Sequence, residues 1–489
     1  MKPIFLLIPI LLPLLTGTAL LTGKRLPARA TLWVTGGVTL LNALLMWAFI
    51  LWGSGESVTV LRFTEHFVLT LGLDGLGRFF AGIVATLWPL TVLYAFSYLK
   101  EDPRQRLFFA FFTMAFGVTL GVTAAGNLFT LYVFYELLTL STVPLVMHPM
   151  TKRAVRATRL YFYFSLGGAA VAFLAVLYFT LRGVTADPNT ARLFYVLGFF
   201  GFGVKAAVFP LHIWLPRASV APTPVTALLH AVAVVKSGVF AIIRLTYCAY
   251  GTALIEGTWA QRVPLVFALI TILYGAVRAV KETHLKRRLA YSTVSNLSYI
   301  LFSVLLLNDA GLTGGLFHMA FHAEIKILAF FAAGAVLCQT EREYLSELNG
   351  LGQKMPLTFA CYTLSALALT GIPPLSGFVS KWHILIAAAE TGTPLAYTGA
   401  AVVLAAAFLT ALYSLTPVRH AFFPTKEERL AMGAKALEKR SYDPDWRMLV
   451  PMLLLACAIL VTGLCSGKIA SALREVIQTT SLWEGGLTL

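Results

Sequence analysis

Charged residues are scarce in this chain: Asp, Glu, Lys and Arg make up 12% of its 489 residues, about half the usual share in a soluble protein. Cysteine is scarce as well, and the five cysteines lie apart on separate apolar segments, with no CxxC pair or Cys/His cluster. We therefore expect no iron–sulfur cluster, zinc site, disulfide framework or other cofactor in this chain. A P-loop and a GxGxxG turn after a strand are missing too, so redox or ATP energy would enter through a partner.

Apolar residues, in contrast, dominate the sequence. They make up 58% of it, and the mean hydropathy is +0.79. Apolar runs of about 20 residues, the length that crosses a bilayer as a helix, recur from end to end. They are continuous rather than alternating, which argues against a membrane β-barrel. The sequence predicts an all-α integral membrane protein with about 14 transmembrane helices, near 4–22, 31–52, 73–98, 106–124, 127–147, 158–181, 192–215, 223–247, 263–280, 286–307, 312–338, 356–390, 397–420 and 447–466.

Positive charge alternates between successive loops. The net charge of +16 comes mainly from short loops between apolar runs, which indicates membrane topology rather than nucleic-acid binding. The cation-rich loops contain Lys24, Arg25 and Arg29; Lys100, Arg104 and Arg106; Lys152, Arg153, Arg156 and Arg159; Lys281, Lys286, Arg287 and Arg288; and Arg419, Lys426, Arg429, Lys435, Lys439 and Arg440. The positive-inside rule places these loops in the cytoplasm and both termini on the outer side of the cell membrane. The first apolar run is interpreted as a spanning helix rather than a signal peptide, because it is long and lacks a clear cleavage site.

Two predicted spans are interrupted by prolines and glycines, at 201–222 and at 370–381. Proline removes a backbone donor, so membrane helices break at such points only inside protein or beside water. A lysine accompanies each interruption, but Lys205 precedes the prolines of the first and Lys381 follows those of the second. An inverted-topology repeat would produce this reversal, and paired broken helices point to a transport site.

Several charged side chains fall near the middle of predicted spans, where a charge costs about 2.5–3.5 kcal/mol on insertion scales. Each must therefore face protein or water. Glu136 lies near the middle of the fifth span and is interpreted as the partner of the buried Lys205. A change in their separation would make the lysine hold or release a proton. The alternatives are a purely structural ion pair, and snorkelling of Lys205 to the membrane interface.

Histidines and lysines in the eighth and eleventh spans form a second candidate group. His230 and Lys236 are six residues apart and would both reach one central water chain, although His230 alone is equally well explained as a packing residue. His318, His322 and Lys326 are spaced i, i+4, i+8, which places them along one helix face. Imidazole titrates near neutral pH and both donates and accepts, so this stripe predicts a proton relay. A metal site is the rival interpretation, but no third ligand of matched spacing is evident.

The remaining membrane cations divide into two kinds. Lys381, beside the second interruption, is interpreted as the terminal relay residue from which the proton leaves. Arg244, Arg278 and residues 286–288 lie nearer helix ends and are interpreted as topology determinants and contacts to lipid headgroups or partners.

Six stretches together resemble one known superfamily. They are YELL at 135–138, Lys205 with PLHIWLP at 210–216, APTPVTALLH at 221–230, KRRLAYSTVS at 286–295, HMAFHAEIK at 318–326 and GIPPLSGFVSK at 371–381. The sequence resembles the antiporter-like membrane subunits of respiratory complex I, membrane-bound hydrogenases and Mrp cation/proton antiporters, most strongly over about residues 70–390. The resemblance implies N-terminal helices in 1–105, inverted five-helix repeats in 106–250 and 263–420, and a cytoplasmic loop with a last helix in 421–489.

The resemblance also implies roles for individual residues. It implies the pair Glu136 and Lys205, the connecting lysine Lys236, the histidines His318 and His322, and the exit residue Lys381. Glu324 departs from the pattern, which has an apolar residue at this position. It would point away from His322 toward another helix, and would either tune Lys326 or open a side path.

These expectations combine into a functional hypothesis. The chain would be a proton-translocating subunit of a redox-driven membrane complex, with no redox site of its own, and its partners would be other membrane subunits and lipids. A charge change at one end would alter the Glu136–Lys205 pair and propagate to Lys381. The alternatives are an Mrp-type sodium/proton antiporter subunit without a redox partner, and an ion-coupled subunit of a carbon-concentrating complex.

Overall fold

The computed structural model describes residues 2–23, 27–185, 187–425 and 442–483. Lys24, Arg25 and the predicted loop cations between 426 and 440 lie outside the described residues. The helices are α1 (Leu7–Thr22), α2 (Ala28–Trp52), α3 (Gly75–Tyr98), α4 (Gln105–Thr123), α5 (Leu128–Met147), α6 (Lys152–Arg182), α7 (Pro188–Gly203), α8 (Trp214–Ala218), α9 (Thr223–Ala231), α10 (Val234–Ile243), α11 (Thr252–Ile255), α12 (Trp259–Lys281), α13 (Leu285–Val304), α14 (Asp309–Thr340), α15 (Pro356–Thr370), α16 (Ser376–Thr391), α17 (Pro394–Phe422), α18 (Trp446–Leu464) and α19 (Ser466–Gln478). An antiparallel hairpin of β1 (Ser57–Arg62) and β2 (Val68–Gly72) lies between α2 and α3.

Within the described residues, 11 stretches are helical, long and apolar enough to cross a membrane. The chain is therefore a multi-pass helical membrane protein, as the apolar runs predict. Three of the predicted spans are not among the 11: α13 is too polar, α7 is short and breaks at its end, and α15 and α16 are two short helices in place of one. The total of 14 stays a prediction.

Side-chain caps fix where several of the functional helices begin. Asn127 accepts a hydrogen bond from Thr130 N (2.7 Å) at the start of α5, and Asn308 accepts one from Gly311 N (2.7 Å) at the start of α14. An Asn at this position satisfies a backbone donor that would otherwise lack a partner inside the protein. The caps thereby fix where the two helices that carry Glu136 and His318 begin.

The helices end at two faces of the molecule. The hairpin face contains β1, β2 and α19, and the N-terminal end of α3 lies there, because Gly75 N donates to Thr479 O (3.1 Å). The loop face contains the opposite connections, where Leu285 N donates to Glu343 O (2.9 Å) and Gly350 N donates to His420 O (3.1 Å). The described members of the predicted cation-rich loops belong to the loop face.

α14 forms the centre of the bundle. Most of its residues between positions 311 and 336 are buried, and α3, α9, α13, α15, α16 and α18 pack around it. A helix that is apolar on all sides belongs inside a bundle, but α14 also carries two histidines, a glutamate and a lysine at its middle. The fold thus surrounds these polar side chains with protein rather than lipid.

Candidate functional site

The break after α7 brings Lys205 to Glu136 on α5. Lys205 Nζ lies 3.9 Å from Glu136 Oε1, donates to Tyr135 O and sits 3.3 Å above the centre of the Tyr135 ring. Lys205 is fully buried, whereas the Glu136 side chain is 25% exposed, although its Oε1 atom, which faces Lys205, is buried. The reason for the partial exposure is its place on α5, where the next residue, Leu137, already faces outward.

The break itself is held by contacts within the protein. α7 ends at Gly203, and the carbonyl of Val204 accepts a hydrogen bond from the Trp214 indole (2.7 Å) of α8. This bond satisfies a carbonyl that a continuous helix would have paired. Gly238 of α10 packs so closely on this segment that a Cβ atom there would overlap Ala206 N and the main chain of Lys205. The break is therefore seated directly against the helix that carries Lys236.

Lys236 connects α10 to the central helix. Its Nζ lies 3.2 Å from His322 Nδ1, and both side chains are buried. Since an ammonium donates and a ring nitrogen accepts, this contact leaves His322 Nε2 without a partner among the described residues. His230 is placed differently: it packs against Phe330 with ring centroids 5.2 Å apart, and neither of its ring nitrogens has a partner there. No hydrogen bond in the described part of the chain joins it to Lys236.

His318 is bonded at both ring nitrogens. Its Nε2 lies 3.2 Å from Asn296 Oδ1 on α13, and its Nδ1 lies 2.9 Å from Ser380 Oγ on α16. An amide oxygen only accepts, so Nε2 carries a hydrogen. The Ser380 hydroxyl lies near two acceptors, His318 Nδ1 and Gly377 O (3.2 Å). The His318 and His322 rings are 5.8 Å apart. His318 thus lies between His322 and the residue that precedes Lys381.

The two remaining lysines of the prediction contact backbone carbonyls. Lys381 Nζ donates to Leu369 O (2.6 Å) and Thr370 O (2.9 Å), the free carbonyls at the end of α15. Lys326 Nζ turns toward α13, where it donates to Leu289 O (3.2 Å) and to a serine hydroxyl. The predicted stripe is therefore not straight, because eight residues of α-helix rotate a side chain about 80° from its starting direction.

Glu324 faces away from this set, as predicted from its place on the helix. Its Oε1 accepts a hydrogen bond from Thr462 Oγ1 (2.8 Å) on α18. It is buried, and it contacts neither of the α14 histidines.

Sequence reasoning missed the polar partners on α13 and α16. Asn296 and Ser292 lie one helical turn apart on α13, and Ser380 precedes Lys381 on α16. A signal for the α13 residues was present: this span is the most polar of the predicted set, and its serines, threonine and asparagine are buried. A polar span in a membrane chain indicates a helix that faces other polar groups in the interior.

The prediction for Arg244 was wrong. Arg244 is buried rather than at a lipid interface, and its guanidinium binds both carboxylate oxygens of Asp74 at 2.5 and 2.6 Å. Asp74 also accepts from Ser481 N (2.9 Å), and Trp483 packs over the guanidinium at 5.2 Å. The sequence offered no sign of this pair, since Asp74 and Arg244 come from distant segments. Asp74, Ser481 and Trp483 also line a cavity of about 970 Å³ at the hairpin face, away from the buried lysines.

These contacts define two groups of residues, and the predicted residues His230, Lys326 and Glu324 belong to neither. The first is Glu136 with Lys205. The second is a row that we call the central row: Lys236, His322, His318, Ser380 and Lys381. Hydrogen bonds join Lys236 to His322 and His318 to Ser380, the two histidine rings lie 5.8 Å apart, and Ser380 precedes Lys381 in the chain, so proton donors and acceptors lie near one another along the row. Among the described residues, no three His, Cys, Asp or Glu side chains cluster as metal ligands.

Comparison with known proteins decides the family. Residues 125–410 match the family described as NADH:quinone oxidoreductase/Mrp antiporter, TM. The chain belongs to this family. NADH-quinone oxidoreductase subunit N of Desulforudis audaxviator is 32% identical to it over 444 residues, which is 85% of each protein.

Two further relatives of this NADH:quinone oxidoreductase/Mrp antiporter chain are longer proteins. Hydrogenase-4 component B of Escherichia coli K12 is 32% identical over 351 residues, 66% of this chain and 52% of that protein. Na⁺/H⁺ antiporter subunit A1 of Staphylococcus haemolyticus is 30% identical over 443 residues, 84% of this chain and 54% of that protein. The chain therefore spans about half the length of these two relatives.

Two solved structures share the fold. One is a chain of the membrane-bound sulfane sulfur reductase, an archaeal respiratory membrane complex, with a TM-score of 0.83, 24% identity and 97% of both chains covered. The other is a chain of the Mrp complex from Dietzia sp. DQ12-45-1b, with a TM-score of 0.84, 23% identity and 96% of both chains covered. At these identities the similarity shows the fold alone.

Proposed function

We propose that this chain is a proton-translocating, antiporter-like subunit of a redox-driven, multi-subunit membrane complex. The observation that carries the proposal is the central row, in which Lys236, His322 and His318 contact one another inside the bundle and continue to Lys381 through Ser380. Buried ionisable groups in a membrane are costly, so a contiguous row of them is expected where protons move. Relatives named as subunits of NADH-quinone oxidoreductase and of hydrogenase-4 support the redox-driven parent complex.

The Glu136–Lys205 pair supplies the switch in this proposal. Two unit charges about 4 Å apart interact by about 4 kcal/mol at an effective dielectric constant of 20, and the interaction falls inversely with distance. At its present 3.9 Å, with no direct hydrogen bond, the pair responds to a small displacement. An approach of Glu136 favours the protonated lysine and separation favours release, so partner-driven movement of α5 would drive proton transfer. The exposed edge of Glu136 is where a partner subunit would act on it.

We include a finer topology in this proposal. It comprises 14 spans, two inverted repeats in 106–250 and 263–420, a cytoplasmic loop face, and both termini on the outer side of the cell membrane. The order of elements supports the repeats: α4 to α10 and α12 to α17 each run through three long helices, a broken helix and one further span, but they start at opposite faces. Lys205 and Lys381 then lie at equivalent breaks.

An Mrp-type sodium/proton antiporter subunit is the second candidate function. It is favoured by the 30% identity to Na⁺/H⁺ antiporter subunit A1 and by the TM-score of 0.84 to a chain of the Mrp complex. The same central row would serve it, but a sodium gradient rather than a redox substrate would drive proton movement.

Purification of the tagged chain with its partners, followed by reconstitution into proteoliposomes, tests both candidates. Proton movement that requires a redox substrate supports the first, and proton movement that a sodium gradient drives without one supports the second. In either case we expect Glu136→Gln and Lys205→Ala to abolish proton movement while the complex still assembles. Glu101→Gln and Lys100→Ala, which change exposed residues of the loop face, are the matched controls. Normal proton movement by either interior variant would refute the proposed switch.

A further inference from the structure

Glu324 is a buried acid that the central row does not use. It lies in the middle of α14 on the side opposite His322, and it is enclosed by α16 and α18. The groups that face its carboxyl are the Thr462 hydroxyl of α18 and the Ser376 hydroxyl at the start of α16. The Ser376 hydroxyl is buried and makes no hydrogen bond within the described residues, so it is available to the carboxyl. Two hydroxyls and a carboxyl thus share one enclosed position.

No cation compensates a charge on Glu324. Within the described residues, the ion pairs do not include it. Lys326 donates to α13 and Lys381 to the end of α15, while His322 faces Lys236. An unpaired carboxylate in such a place costs several kcal/mol, whereas the neutral acid needs only hydrogen-bond partners.

The hydrogen bonds around Thr462 distinguish two states of the acid. Thr462 Oγ1 lies 2.8 Å from Glu324 Oε1 and 2.8 Å from Ala458 O, one turn earlier on α18. A hydroxyl has one hydrogen, so it serves only one of these acceptors when Glu324 is ionised. When Glu324 is protonated, the acid donates to Thr462 and Thr462 donates to Ala458 O, and both bonds form. The arrangement therefore suits a proton that binds and leaves.

α18 connects this acid to the second break. Gly463, the residue after Thr462, packs so tightly on the break that a Cβ atom there would overlap Pro374 O and Ser376 N. α16 starts at Ser376 and carries Lys381 at its second turn. The helix that carries Thr462 is therefore in direct contact with the segment that precedes Lys381.

We propose that Glu324 is a second proton-binding site of this chain, separate from the central row. Proton binding reverses the direction of its hydrogen bond with the Thr462 hydroxyl. In this role Glu324 is a positioning residue: its charge state adjusts the break at 371–375 and thereby the seat of Lys381. The positioning role rests on the proposed function, whereas proton binding by Glu324 does not.

Infrared difference spectroscopy of the purified complex, titrated between about pH 5 and 9, tests proton binding. We expect a titrating carboxylic-acid carbonyl band that Glu324→Gln removes and Thr462→Val shifts in frequency, because the hydroxyl partner is lost. Thr363→Val is the matched control, since Thr363 makes the same bond to a carbonyl one turn earlier (2.7 Å) on α15. Identical spectra for wild type and Glu324→Gln would overturn the proposal. So would a change of this band on addition of sodium, but not potassium, at constant pH, which would indicate sodium binding.

Proton movement in proteoliposomes tests the positioning role. We expect Glu324→Gln to shift the pH profile of transport by about one unit and Glu324→Asp to restore it toward wild type. An unchanged pH profile for Glu324→Gln would overturn the positioning role. The Glu324 band should persist in Glu136→Gln, so transport by Glu136→Gln would count against the proposed function and leave the second site intact. If the complex with Glu324→Gln does not assemble, the frequency shift of the carbonyl band in Thr462→Val alone decides whether Glu324 binds a proton.

Discussion

His318 is held at both ring nitrogens, and this distinguishes it from the other histidines of the interior. The Asn296 amide and the Ser380 hydroxyl hold its ring plane, and the Asn296 oxygen places a hydrogen on Nε2. His322 is bonded at one nitrogen and His230 at neither within the described residues. In the proposed relay, His318 is therefore held in one orientation, whereas His322 Nε2 has no partner within the described residues.

At this scale we expect Asn296→Leu to damage both stability and transport. It leaves the buried His318 Nε2 unpartnered, which costs about 1–3 kcal/mol of unfolding free energy. It also removes the acceptor that keeps a hydrogen on His318 Nε2, so proton movement should fall. Thermal unfolding in detergent and proton movement in proteoliposomes measure the two effects. Ser298→Ala is the control on the same helix, because the Ser298 hydroxyl is buried without a partner in the described structure and its removal should be neutral. Equal behaviour of the two variants would contradict this role of Asn296.

Broken helices determine where Lys205 and Lys381 lie. A continuous helix has no free carbonyl at its middle, whereas the end of α15 offers two, and Lys381 binds both. The cation sits at the negative end of the helix dipole, which stabilises it without a carboxylate. Gly371 ends α15 with φ +97°, and a Cβ atom there would lie 3.2 Å from Lys381 Cδ. The turn and the lysine are therefore coupled.

Gly371→Ala should disturb both the turn that ends α15 and the position of Lys381. Forcing a non-glycine residue into a left-handed conformation costs about 1–2 kcal/mol, and the new methyl group would also press on Lys381. Gly392→Ala is the control: Gly392 ends α16 with φ +67° and has nothing within 4 Å of its Cβ position. We expect similar losses of thermal stability in both variants, but reduced proton movement only in Gly371→Ala. Full transport by Gly371→Ala would show that Lys381 tolerates displacement.

At the scale of the whole molecule, the Asp74–Arg244 ion pair joins distant segments at the hairpin face. This pair joins the start of α3 to the end of the α9–α10 span, and Ser481 and Trp483 cover it. It ties the N-terminal helices and the C-terminal segment to the first half of the bundle. Its role in the fold is therefore long-range, although none of its members belongs to the central row.

Asp74→Asn should destabilise the folded chain strongly. Loss of one partner leaves Arg244 buried and uncompensated, and such changes cost about 3–5 kcal/mol. Arg287→Gln removes the ion pair with Glu282, in which the Arg287 side chain is 45% exposed. This change should lower the free energy of unfolding by less than about 1 kcal/mol. The unfolding temperature of both variants in detergent provides the measurement. A small effect of Asp74→Asn, comparable with Arg287→Gln, would show that the pair does not hold the hairpin face together.

Local sequence signals predicted the features that depend on local chemistry. Apolar runs predicted the membrane helices, and prolines and glycines predicted both breaks beside Lys205 and Lys381. The third break, at 232–233 between α9 and α10, contains neither residue type and was not predicted, because packing rather than local preference opens it. Pairings such as Asn296 with His318 depend on which helices become neighbours. A single sequence does not state that, even where it marks the helix as polar.

Proton movement by the complex that contains Lys236→Met is the most direct test of the central claim. Lys236 makes the one described hydrogen bond between α10 and His322, so the central row is interrupted when its ammonium is removed. We predict an assembled complex whose proton movement is reduced tenfold or more, equivalent to at least about 1.4 kcal/mol in the barrier, while Lys281→Met, an exposed control, is unaffected. Wild-type proton movement by assembled Lys236→Met would contradict the account.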